Sequence, residues 1–199
     1  MENILKEIIN KRRERISQYK KNISEDQLLN NIKDVEGFID FKEKIRIKSK
    51  KNEISIIAEI KKASPSAGII IKNFNHLNIA KIYFENDATC LSVLTEEDFF
   101  QGKASFISDI KKQIKIPILC KDFFIDTYQV ALAKSHSADC ILIILSALDL
   151  SQAKDLYQAA NDLNISTLIE VHTQQEAEAA LSFENSLIGI NNRNLKTLE

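Results

Sequence analysis

Apolar residues are gathered into short runs from residue 54 onward, at 54–60, 88–94, 116–120, 138–145, 166–169 and 186–190. Within them Ile56, Ile57, Ala58 and Ile60 show no polar alternation, the pattern of strands covered on both faces of a sheet. Between the runs, residues 79–84, 104–114, 127–134, 150–163 and 174–181 carry apolar positions at helical spacing. Strands alternating with helices of this length predict a parallel sheet covered by helices, either doubly wound or closed as a barrel. Residues 1–50 lie outside the repeat. Ile4, Ile8 and Ile9 form one apolar stripe, and Phe38, Ile39, Phe41, Ile45 and Ile47 suggest a second amphipathic segment. The expected division is therefore a helical extension over 1–50 and an α/β unit over 51–199, together one domain.

The ends of the runs favour the barrel. They finish in Glu59 and Lys61, Ser92 and Thr95, Lys121 and Asp122, Ser146, Glu170 and His172, and Asn191 and Arg193. A doubly wound sheet gathers its chemistry at one switch point and needs reactive residues on only a few strands. A barrel brings every C-terminal strand end to one rim. Residues two apart on a strand share a face, so Glu59 and Lys61 are expected side by side. The turn Ser64-Pro65-Ser66 and the freedom of Gly68 let polar groups converge just beyond them.

Composition narrows the chemistry. With 27 basic and 28 acidic residues, the net charge of −1 offers no field for nucleic acid or anionic lipid, so a small polar substrate is expected. The cluster Lys11 to Arg15 reads as a solvated helix face, because acids offset it and no aromatic residue is interleaved. No apolar run approaches the ~20 residues of a membrane span and the N-terminus is not a signal peptide, which predicts a cytoplasmic protein. Cys90, Cys120 and Cys140 sit singly inside apolar runs and read as buried, reduced and structural. The common nucleotide-binding and zinc signatures are absent, and no metal is expected.

The segments AEIKKASPSAG, CLSVLTEEDFFQG, LCKDFFID, IEVH and IGINNRNLKTLE, in this order, resemble the indole-3-glycerol phosphate synthases of tryptophan biosynthesis, over about residues 38–199. The resemblance implies the (β/α)8 TIM barrel family with an N-terminal helical extension over the rim, here with about six βα units. It implies a carboxy-lyase reaction without metal or organic cofactor. In that reaction 1-(2-carboxyphenylamino)-1-deoxyribulose 5-phosphate closes its ring and loses carbon dioxide and water. It further implies a monomer or weak homo-oligomer whose partner is this small sugar phosphate.

The resemblance also assigns roles. Lys121 matches the general acid that protonates the substrate ketone, work suited to an ammonium. Glu170 matches the acid or base of the dehydration, Glu59 a carboxylate that orients or assists, and Lys61 a lysine that contacts substrate and shares the acid role. Arg193 matches the arginine for the anthranilate carboxylate, where a guanidinium fork suits a planar anion, and Asn191 stands beside it. Phe100 and Phe123 are candidates for the aromatic wall, Ser64 for a polar contact, and His172 for a structural histidine.

Two departures from the family matter. The last motif ends at Glu199, whereas the family continues for two βα units that supply most of the phosphate site. An unclosed six-strand sheet has two bare edges, so a chain of this extent alone is expected to be unstable or partner-dependent. An inactive barrel fragment, or another phosphoribosyl-type barrel enzyme, is the alternative reading. The family also carries glycine where this chain has Asp87 and Ser137, at helix ends expected to need a left-handed residue and to be strained by about 1 kcal/mol each.

Overall fold

Every apolar run of the repeat forms one strand of a single parallel sheet. The computed structural model describes residues 4–32 and 37–192. The sheet holds β1 (Ile57–Ile60), β2 (Cys90–Leu94), β3 (Ile118–Lys121), β4 (Cys140–Ile144), β5 (Ser166–Val171) and β6 (Leu187–Ile190). Their order in space is their order in the chain, with all five pairings parallel. A doubly wound sheet would reverse its order at a switch point. The steady progression found here is a barrel wall, open because, among the described residues, β1 and β6 each have a neighbour on one side only. Helices α4 (His76–Glu85), α5 (Ser105–Lys111), α6 (Tyr128–Ser135), α7 (Leu150–Asp162) and α8 (Gln174–Ala180) make the crossovers.

Period-two alternation sorts the strand residues onto two faces. Leu91, Val93, Ile118, Cys120, Ile141, Ile143, Ile169 and Val171 pack outward beneath the helices, against Ala80, Ile107, Ile110, Val130 and Leu156. Cys90, Leu119, Cys140, Leu142 and Ile144 turn inward around Phe41, which is fully buried. Both faces of the central strands are therefore dry, which is why those runs lack polar alternation. The edges differ from that expectation. Ile56 and Ile57 of the β1 segment and Ile188 and Ile190 of β6 are exposed, Ile190 by 78%.

The extension folds as helices α1 (Ile4–Asn22), α2 (Glu25–Ile32) and α3 (Phe41–Lys50). Asp40 caps α3 by accepting from the Glu43 N–H at 2.9 Å. Asp139, fully buried before β4, accepts from the backbone N–H groups of Ile39 at 2.8 Å and Ile118 at 2.7 Å and pairs with Lys111 at 2.6 Å. This carboxylate pins the segment entering α3 to the floor of the sheet, and so places Phe41 in the inner core. Along α1, Leu5, Ile8, Ile9, Arg12 and Ile16 are buried at helical spacing.

The basic cluster departs from a solvated face. Arg12 is 5% exposed and paired with Asp122, and Arg15 forks onto Asp98 at 3.0 and 2.7 Å. All three cysteines are buried and free. Burial pushes the Cys90 and Cys120 thiols up to about 12.

Asp87 and Ser137 do adopt left-handed backbone, with φ of 61° and 66°. Each follows a helix whose last carbonyls it closes: Ser137 N–H donates to Lys134 O at 2.8 Å, and Ala138 N–H to Ala133 O at 3.1 Å. Serine has no side-chain reason to prefer this region, so Ser137→Gly is expected to stabilise the fold by up to about 1 kcal/mol. Urea unfolding followed by circular dichroism checks this, and an unchanged or lower midpoint contradicts it.

Candidate active site

Inward alternation brings distant residues to one mouth. Lys121 shares the face of Leu119, Glu170 that of Leu168, and Asn191 that of Leu187, all inner-core positions. Glu59 lies opposite the outward Ala58 and Ile60. Together they line a cavity of about 280 Å³ with Lys61, Ser64, Phe100 and Phe123. Of the residues selected from sequence, eight thus meet in one hollow. Arg193 lies outside the described residues.

One carboxylate organises the cationic side. Glu59 Oε1 accepts from Lys61 Nζ, and Glu59 Oε2 accepts from Lys121 Nζ at 2.5 Å. The expected pairing of Glu59 with Lys61 is present, and a second lysine from β3 joins it. Burial raises the Glu59 pKa, but the Lys121 and Lys61 ammonium groups outweigh burial and hold it below the usual carboxylate value. Across the mouth, Asn191 Nδ2 donates to Glu170 Oε1 at 3.1 Å, and His172 Nε2 stands 3.5 Å from the same oxygen. His172 is held further by its backbone N–H, which donates to Glu176 Oε2 at 2.7 Å.

The aromatic wall is built by the segment after β2. Glu96, 1% exposed, accepts from the backbone N–H groups of Asp98 at 3.0 Å, Phe99 at 2.8 Å and Phe100 at 3.0 Å. Burial pushes its pKa up, while those three amides pull it down. Gly102 closes the turn against β2, where a Cβ would lie 2.3 Å from Leu94 O. Phe100 is thereby set 6.1 Å from Phe123, ring centre to ring centre, at a tilt of 39°. An aromatic ring entering the cavity would meet both.

Several strand-end expectations need correction. Ser92 lies within β2, paired in register with Glu59, and is buried below the mouth. Thr95 faces outward and donates to Asp122 Oδ2 at 2.6 Å. Ser146 sits in a short turn after β4, outside the cavity lining, 3.4 Å from His172 Nδ1.

The extension expected over the rim contributes Ile4, Leu5 and Ile8 of α1 to the cavity lining, residues that sequence reasoning had not singled out for it. Their amphipathic spacing was visible, but nothing local says what an apolar stripe covers. Among the described residues no group of three or more His, Cys, Asp and Glu could hold a metal ion.

Comparison with known proteins adds the relationship. The family model "Indole-3-glycerol phosphate synthase" matches residues 5–199. The indole-3-glycerol phosphate synthase of Chromobacterium violaceum is 45% identical over 160 residues, covering 80% of this chain and 60% of that protein. The protein of the same name from Legionella pneumophila strain Lens is 52% identical over 141 residues, covering 71% and 55%. That from Polaromonas sp. is 42% identical over 202 residues, covering all of this chain and 75% of the relative. The matched region is thus little more than half the length of the first two relatives. Among solved structures, the tryptophan synthase alpha subunit of Legionella pneumophila superposes with a TM-score of 0.55 at 9% identity, covering 76% of this chain and 66% of that one. KGPDC from Streptococcus mutans superposes with a TM-score of 0.52 at 14% identity, covering 68% and 64%. These two show a shared fold.

Titration of Glu59 tests the geometry. The ion pairs contribute stability above the ordinary value of 4.5, lost as pH falls through the lower folded value. In Lys121→Met, burial remains and one ammonium is gone, so the Glu59 carboxyl midpoint by carbon NMR is expected to rise. An unmoved midpoint contradicts the contact.

Proposed function

Because this chain belongs to the indole-3-glycerol phosphate synthase family, we propose that its six-strand wall carries the acid–base machinery of that reaction. The observation supporting this reading is the single cavity shared by Glu59, Lys61, Lys121, Glu170 and Asn191, with Phe100 and Phe123 as its aromatic side.

In the proposed mechanism the anthranilate ring of 1-(2-carboxyphenylamino)-1-deoxyribulose 5-phosphate packs against Phe100 and Phe123. The ring carbon that bears the carboxylate attacks the ketone, whose oxygen takes a proton from the Lys121 ammonium. Glu59 holds that ammonium charged and aimed, and Lys61 lies within reach of the same oxygen. Loss of carbon dioxide follows, with Arg193 proposed to hold the departing carboxylate and Asn191 beside it. Glu170 then acts in the dehydration, where a proton leaves one atom as hydroxide leaves its neighbour. Asn191 orients the Glu170 carboxylate for this step, and Ser64 supplies a hydrogen bond from the turn beyond β1. The cytosol is the proposed compartment, and a monomer or weak homo-oligomer the proposed state.

A second reading is favoured by the open sheet. β1 and β6 are not joined to each other among the described residues, so the wall surrounds the mouth incompletely. On this reading residues 1–199 alone hold the aromatic part of a ligand without turning it over.

Two proteins separate the readings. Residues 1–199 alone are expected to give no product by indole-3-glycerol phosphate fluorescence, and measurable product would remove the second reading. Residues 1–199 joined to the C-terminal quarter of the Polaromonas relative, which keeps Arg193, are expected to turn over. In that chimera Lys121→Ala should lower kcat by about 10²–10⁴-fold with the circular dichroism spectrum retained. Near-normal kcat would refute Lys121 as the acid.

A further inference from the structure

A buried ion pair stands directly behind the proposed acid. Lys121 ends β3 with its side chain on Glu59, and Asp122 follows it directly, lining the mouth beside it while its carboxyl is turned to Arg12 and Thr95. Asp122 is 4% exposed, and Arg12 of α1 comes down on it from outside at 5% exposure. Arg12 Nη2 donates to Asp122 Oδ2, the oxygen that also accepts from Thr95 Oγ1 at 2.6 Å. Asp122 Oδ1 accepts from the Phe123 N–H at 2.8 Å. Thr95 in turn donates its backbone N–H to the carbonyl of Lys121 at 3.1 Å. A single carboxylate therefore ties together α1, the end of β2, the end of β3 and the aromatic wall.

The pair is poorly arranged for stability alone. Arg12 Nε and Nη1 are buried without a hydrogen-bond partner, and Nη1 stands 3.7 Å from Glu97 Oε2. A buried ion pair is weak evidence for stability, since well-packed apolar residues often do as well, and unmatched donors add a desolvation penalty. What the guanidinium supplies here is direction.

We propose that Arg12 is a positioning residue for Lys121. By holding the Asp122 carboxyl it fixes the strand end that turns Lys121 onto Glu59, and through the same contact it keeps Leu5 and Ile8 of α1 across the mouth. The inference rests on Lys121 being the acid, but its test needs no turnover.

The test follows the side-chain Nζ resonance of Lys121 in nitrogen-15-labelled protein, assigned with Lys121→Arg. The displacement caused by Glu59→Gln defines the signature of a lost Glu59 contact. In Arg12→Met/Asp122→Asn the buried charges are removed together, and the asparagine can still accept from Phe123. This variant is expected to fold and to displace the Lys121 resonance by at least half of that signature. Arg12→Lys, which keeps the charge but not the fork, is expected to fold and to displace it in the same direction by less. A shifted melting temperature with an unmoved Lys121 resonance, in whichever variant folds, would overturn the proposal. A Lys121→Ala chimera that retained turnover would count against the acid role instead, leaving the resonance measurement independent.

Discussion

The site depends on the alternation of a β-strand at one point, the end of β3. Lys121 turns inward on the face of Leu119, and where the strand ends the next residue, Asp122, aims its carboxyl the other way, at Arg12 and Thr95. The inward residue meets Glu59 from β1, two strands away, and the outward residue meets Arg12 from the N-terminal helix. A shift of one residue in the pairing of β3 would exchange the two roles. The register that prevents this is set by Leu91 opposite Ile118 and Leu94 opposite Lys121. Packing below the mouth reinforces it, since the same slip would drive the inward Leu119 toward the helices and the outward Ile118 and Cys120 into the inner core.

Energetically the molecule divides into a dry centre and open flanks. The middle strands bury large aliphatic residues on both faces, each worth roughly 1.5–3 kcal/mol against exposure. Among the described residues the edge strands have no partner on their outer sides and leave isoleucines in solvent, a combination that favours association through strand edges. Against this the extension adds tertiary ties at two levels. At the floor, Asp139 anchors the segment that places Phe41. At the rim, Arg12, Arg15 and Lys20 of α1 pair with Asp122, Asp98 and Asp126. The solvent-facing pairs among these contribute little each, whereas removing one partner of the buried Arg12–Asp122 pair would cost about 3–5 kcal/mol.

Much of this was legible in the chain, for physical reasons that also mark the limit. The strands and crossover helices could be read because period-two and helical patterns are local properties of sequence. The left-handed backbone at Asp87 and Ser137 was expected from the resemblance, because the family carries glycine at these helix ends. The meeting of Lys61 with Glu59 followed from their spacing on one strand. The second lysine on Glu59, the burial of Arg12 and the lining of the mouth by Leu5 and Ile8 could not be read in this way. Each depends on contacts between segments about 60 to 110 residues apart, and a basic residue on an amphipathic helix looks the same whether it faces water or a buried aspartate. The exposure of Ile56 and Ile57 was missed for the opposite reason, since an apolar run does not reveal that its strand is an edge.

Residues at the ends of β1, β3, β5 and β6 face one hollow, and its aromatic side is built to take an aromatic ring. Backbone amide shifts on adding anthranilate to the labelled chain test this directly. The predicted result is a single cluster of shifted amides drawn together from residues 59–66, 100, 121–124, 170 and 191. Shifts confined to one segment, or spread over the outer surfaces of α4 to α8, would contradict it.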